Sequence, residues 1–214
     1  TSRGLGDVYK RQKMCNTMPM TVSKTRDMLV DVARQLFARM GVDNTTMNDI
    51  AQASRKGRRT LYTYFKSKNE IYLAVVESEL DQLHKMLVDV ASKDLPADEK
   101  LLTFIYSRLD AVKALVFRNG TLRATFFRDI WRVEKVRKSF DLREVEIIKG
   151  ILDDGVKEGI FSMPDTDITA LVLHHALKGL EVPYIRGIMG DNISQRIKRR
   201  DNVMNLIFNG IKIK

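Results

Sequence analysis

Residues 55–68 read RKGRRTLYTYFKSK, and the rest of the chain is understood outward from this stretch. It holds six basic residues, three aromatics and no acid. Coiled as a short helix, it places Leu61 and Phe65 on one inward face, because residues three and four apart are neighbours. Arg58, Arg59, Tyr62 and Thr63 then lie across the outer flanks. Arginine offers a planar fork that fits guanine edges or phosphate oxygens, and Tyr and Thr hydroxyls bond phosphates. Such a surface suits a polyanion.

The preceding residues 45–54, TTMNDIAQAS, sharpen the reading. Thr46 and Asp49 have capping-box spacing, and Ile50, Ala51 and Ala53 are small or apolar helix formers. A short capped helix, a tight turn and a second short helix make a helix-turn-helix, whose second helix enters the major groove while the first crosses the backbone. Through the TTMNDIA start, the TLYTYFKSK run and the Asn69-Glu70-Ile71-Tyr72 that follows, residues 25–72 resemble the DNA-binding domain of the TetR family of bacterial transcriptional regulators. The turn departs from that resemblance. Where the family usually has Gly and then an apolar residue, this chain has Arg55 and Lys56, and its glycine comes at Gly57, where a small polar residue is usual. Glycine takes positive φ without penalty, so Arg55 either carries modest strain or the turn has another shape. The competing reading, two amphipathic helices that merely cross, predicts neither the acid-free run nor the capped helix before it.

Charge placement agrees with a nucleic-acid module on a near-neutral body. The formal charge is +10 over 214 residues. Residues 1–68 carry 14 Lys and Arg against 5 Asp and Glu, and the remainder carries 23 against 22. The single cysteine, Cys15, excludes an internal disulfide framework and fits a reducing compartment. No apolar run approaches the roughly 20 residues of a membrane helix, so a cytoplasmic protein is expected.

Residues 1–20 show no periodicity and are expected to be a disordered or appended tail, with a basic arm reaching the minor groove as the alternative. A scaffold helix then starts at Ser23 or Thr25, with Met28, Leu29, Val32, Ala33, Leu36, Phe37 and Met40 inward and Gly41 as its stop. Lys24 and Arg26 near its start either touch phosphate or are simply solvated. Ser67 and Glu70 again have capping-box spacing and start a helix at Lys68 that runs to about Ala91. Asp94 and Pro96 open another, ending at Asn119-Gly120. A short aromatic segment over 121–132 precedes a long helix over 134–158, with Val136, Phe140, Val145, Ile148, Leu152 and Val156 inward and Gly159 at its end. One helix begins near Asp165 and runs past Pro183, which should kink or end it, and a last one covers about 192–211.

The fold class expected is all-α: a helix-turn-helix domain of three helices over 21–68 and a helical effector-binding and dimerisation domain over 69–214. For base reading the candidates are Arg58, Arg59 and Thr63, with Asn48 from the preceding helix. Thr46, Thr60, Tyr62, Tyr64 and Lys68 are the candidates for phosphate. Histidines stand only at 84, 174 and 175, and no zinc-ligand spacing, phosphate loop or nucleophile motif occurs, so no metal, cofactor or catalytic residue is assigned. The TetR resemblance implies more. The last two helices would pair with those of a second copy, making a homodimer on a palindromic double-stranded DNA operator. A small-molecule effector would sit in the body, with Phe104, Tyr106, Phe117, Phe126, Phe127, Trp131, His174 and His175 as lining candidates, although residues of these types are individually more often core packing than ligand contacts. The function expected is a ligand-responsive repressor. The alternatives are an effector-independent DNA-binding protein of the same fold and a helical carrier or enzyme.

Overall fold

The structure, a computed structural model, describes residues 20–118 and 130–188, with Asn202 and Asn205 beyond them. These residues form helices, with no extended sheet among them: α1 Met20–Met40, α2 Met47–Ala53, α3 Arg58–Tyr64, α4 Lys68–Ala91, α5 Ala97–Arg118, α6 Ile130–Lys157 and α7 Thr166–Ile185. Two compact units share the chain, with their boundary inside α4, between Val75 and Val76. Of the segment expected over 121–132, residues 121–129 lie outside the described residues and 130–132 begin α6, while the expected last helix over 192–211 lies outside them apart from Asn202 and Asn205, which are helical.

In the first unit a single small core explains the three-helix arrangement. Leu29, Val30, Ala33 and Phe37 of α1, Ile50 and Ala51 of α2, Leu61 and Phe65 around α3, and Ile71 and Tyr72 of α4 are all buried. Burying one large apolar side chain stabilises by about 1.5–3 kcal/mol, so short helices with weak intrinsic stability are held by packing rather than by propensity. The inward stripe of α1 centres on 29, 33 and 37, which turns Met40, expected inward, out to 36% exposure in the last turn.

Helix ends follow local chemistry. Thr46 and Asp49 form the reciprocal capping box on α2, with Thr46 Oγ1 accepting the Asp49 N–H and the Asp49 carboxylate accepting the Thr46 N–H. At α4 the Ser67 hydroxyl accepts the Glu70 N–H, while the Glu70 carboxylate reaches one residue further and accepts the Lys66 N–H at 2.7 Å. Asp165 caps α7 through the Ile168 N–H at 3.0 Å. Helix α7 ends at Ile185, within one turn of Pro183, whose ring nitrogen has no proton to give.

The second unit packs α5, α6 and α7 against one another. Leu101, Phe104, Ile105, Leu109, Val112 and Val116 of α5 meet Phe140, Ile148, Ile151 and Leu152 of α6 and Ala170, Leu177 and Ile185 of α7 as the buried set. Val136 and Val145 are half-buried, and Val156, expected inward, is 42% exposed. Gly155 takes the inward position of that last turn, directly against the Phe161 ring.

Candidate nucleic-acid interface

Helix α3 is seven residues long and anchored by one fully buried residue, Leu61, with Phe65 closing it from below. The anchoring leaves the other faces outward. Arg58, Arg59, Tyr62 and Thr63 are exposed, Thr60 and Tyr64 are half-buried, and Asn48 and Thr46 are exposed at the start of α2. All the residues expected to read bases or hold phosphates therefore lie in one unit, on or beside the two crossed helices.

Several of these side chains are already engaged. Arg58 stacks over the Tyr62 ring, its guanidinium 6.0 Å from the centroid, which holds two candidate DNA contacts together on one face. The Thr63 hydroxyl donates to the Arg59 carbonyl at 3.0 Å, so what it offers outward is an acceptor and a methyl group. Thr46 Oγ1 donates to Asp49 at 2.7 Å, which commits its proton to the capping box. Lys68 Nζ donates to the Val42 and Asp43 carbonyls at 2.7 and 3.1 Å, two of its three protons. Those bonds tie the start of α4 to the loop after α1. Arg26, which had two readings, lies over the Phe65 ring at 5.4 Å.

The connection between α2 and α3 resolves the question raised by Arg55. Its φ is 54°, so it occupies the left-handed region that glycine favours. Gly57 has an ordinary φ of −63° and begins α3 with no side-chain cap.

Residues 29–75 match the family described as bacterial regulatory proteins, tetR family. These residues are a DNA-binding domain of the TetR family. Relatives extend the likeness along the body. QacR of Staphylococcus aureus is 20% identical over 189 residues, covering 87% of this chain and 97% of QacR. The transcriptional repressor KstR2 of Mycolicibacterium smegmatis is 28% identical over 163 residues, 72% of this chain and 76% of KstR2. A transcriptional regulator from Cytophaga hutchinsonii has the same fold, with a TM-score of 0.70 and 24% identity over 87% of this chain and 98% of its own.

The body of this chain holds a group that the apolar stripes concealed. Arg108 of α5 and Glu144 of α6 are fully buried and form an ion pair. Arg108 also reaches Glu181 of α7 at 2.8 Å, and Glu181 accepts from Arg137 at 3.0 Å. His174 lies 3.3 Å from Glu144, and Lys178 binds Asp141 at 2.8 Å. Burial pushes the Arg108 guanidinium down, but Glu144 and Glu181 outweigh it and hold it above its ordinary value. The signal was present in the sequence: Arg108, Glu144 and Glu181 each fall on the inward spacing of their helix, four residues from Phe104, Phe140 and Leu177 or Ile185.

The expected ligand lining is dispersed. Phe104 and His174 are buried and Tyr106 is half-buried, but Phe117 is 54% exposed with Lys113 over its ring, and His175 faces solvent one residue round the helix from His174. Phe117 and His175 are at surface positions in the single chain, because Val116 and His174 occupy the inward ones. Phe126 and Phe127 lie outside the described residues, as does the side chain of Trp131. A groove of about 290 Å³ is lined instead by Glu77, Leu80 and Asp81 of α4 and Val136, Ser139 and Arg143 of α6. No described helix is long and apolar enough to cross a membrane.

Proposed function

We propose that this regulator is a cytoplasmic repressor that binds a palindromic double-stranded operator as a homodimer, and that a small molecule held in the body weakens that grip. The observation that carries the reading is the exposed, acid-free face of α3, with Arg58 and Arg59 outward from a helix anchored only by Leu61. In this reading Arg58, Arg59, Thr63 and Asn48 read bases, while Thr60, Tyr62, Tyr64 and Lys68 position the backbone, and Thr46 serves mainly through its cap. The relative KstR2, a transcriptional repressor, supports the sign of regulation. Dimerisation is supported by the second apolar stripe on α7, where Ile168, Leu171 and Val172 are 62%, 48% and 60% exposed. A ligand shifts the DNA-binding equilibrium only by its affinity difference between the two states.

Selection of bound duplexes from a random DNA pool tests this directly. The expected winner is a palindrome whose affinity falls steeply with salt. Arg58→Ala is expected to lose about 1–3 kcal/mol on that winner and to relax its sequence preference. Absence of any enriched sequence would remove the operator-reading role. A second reading, in which the body dimerises without an effector, is supported by the surface positions of Phe117 and His175.

A further inference from the structure

The turn between α2 and α3 departs from a pattern that the ends of α1, α6 and α7 share. Helix α2 ends in a Schellman arrangement, the Lys56 N–H bonding the Ala51 carbonyl at 3.1 Å and the Arg55 N–H the Gln52 carbonyl at 3.0 Å. The same pair of bonds closes α6, from Ile160 to Gly155 and from Gly159 to Val156, and closes α7, from Ile188 to Pro183 and from Gly187 to Tyr184. At those two ends the left-handed residue is Gly159 or Gly187, with φ of 71° and 72°, and an apolar residue follows. Helix α1 likewise stops at Gly41, φ 90°, followed by buried Val42.

Among the described left-handed helix ends, α2's alone holds a charged side chain, Arg55 at φ 54°, and is followed by a charged residue, Lys56. Among the described residues Arg55 is the one non-glycine with positive φ. Both side chains are exposed, and among the described residues neither makes a hydrogen bond or ion pair. Glycine was not out of reach for this segment: it stands at Gly57, where φ is ordinary and an added Cβ would meet nothing within 4 Å. A residue held against local preference, with no side-chain hydrogen bond or ion pair among the described residues to justify it, points to a use outside them. Arg55 and Lys56 directly precede the outward Arg58 and Arg59, and no acid occurs from 50 to 69.

We infer that Arg55 and Lys56 are contacts to the DNA phosphate backbone built into the turn, so that the turn as well as α3 grips the duplex. The inference rests on α3 being the groove-reading helix. It assigns the two residues to positioning and not to base reading, since the turn itself lies outside the helix that enters the groove.

The test uses the full-length protein, the duplex selected above and an unrelated duplex. Arg55→Gly is expected to melt no lower than the wild type without DNA, because glycine accepts this φ. It is expected to weaken binding to both duplexes by the same factor and to make the salt slope shallower by about 0.9. With Lys56→Val added, the slope falls by about 1.8, and the loss of affinity relative to wild type shrinks roughly tenfold between about 50 and 200 mM salt. Arg55→Lys is expected to keep the slope. An unchanged slope in Arg55→Gly, or a loss confined to the selected sequence, overturns the inference. Wild type that enriches no duplex and binds without salt dependence overturns the reading of α3 beneath it.

Discussion

At the scale of single residues, Thr46 and Asp49 show how a local bond serves the interface. Their box fixes the start of α2, and α2 in turn sets the angle from which Asn48 points outward. The Thr46 hydroxyl bond, and then its backbone bond, hold the Asp49 carboxyl below its ordinary value of 3.8. A carboxyl lowered on folding contributes stability that is complete at neutral pH and is lost as the pH falls below that ordinary value. Thr46→Ala is therefore expected to destabilise the protein more near neutrality than in acid, read by denaturant unfolding at two pH values. An equal cost at both would mean the cap acts without the carboxylate. Spacing in the sequence revealed this pair because both partners are side chains three residues apart. It did not reveal that Thr63 would bond the Arg59 carbonyl or that Lys68 would bond Val42 and Asp43, since those acceptors are backbone groups with no signature of their own.

At the scale of elements, the legible features were caps, stops and stripes. Lys68 and Ala91 bound α4 as expected, and Asp165 caps α7, because each end carries a residue whose side chain or φ preference is tied to a helix terminus. Faces were harder to place at the ends than in the middle. Met40 and Val156 continue their stripes in sequence yet lie in final turns, where the partner surface has run out. What replaces Val156 is Gly155, and its role is spatial. A Cβ built there would lie 2.1 Å from Phe161 Cδ2, and Phe161 is 1% exposed. Gly155→Ala is expected to destabilise the protein by about 1–3 kcal/mol despite alanine's better helix propensity, because the ring must leave its pocket. Gly150→Ala, on the same helix with open space around it, is the control and should stabilise slightly. If both changes raised the melting temperature, the Phe161 ring would not be a fixed part of the core.

At the scale of the whole molecule, charge is distributed in two opposite ways. The DNA-binding end displays its basic residues, whereas the body buries Arg108, Arg137, Glu144 and Glu181 in one network, with Lys178 and Asp141 half-buried at its edge, and the charges balance one another across α5, α6 and α7. Hydrophobic patterning hid that network because each member replaces an apolar residue on an otherwise apolar stripe. Pairing of this kind favours one register of three helices over its neighbours, since a shift by a turn would strand a buried charge. A fixed register matters to α7, which carries two faces. Ala170, His174, Leu177, Glu181 and Ile185 point to the core, while Ile168, Leu171, Val172 and His175 form a second row outward. The second row is where we place the contact between copies. Leu171→Glu with Val172→Glu puts two like charges on each face of a two-fold contact, where each meets its own copy. The double variant is expected to sediment as a monomer with its melting temperature little changed, because both positions are solvent-exposed in the single chain. Its affinity for a single half-site should equal the wild type's. Its advantage for the full palindrome should vanish, because two linked half-site contacts raise the effective concentration of the second and a monomer has no such link. A double variant that remains dimeric would move the contact between copies off this face of α7. One that is monomeric yet still prefers the palindrome would show that the two copies cooperate through the DNA instead.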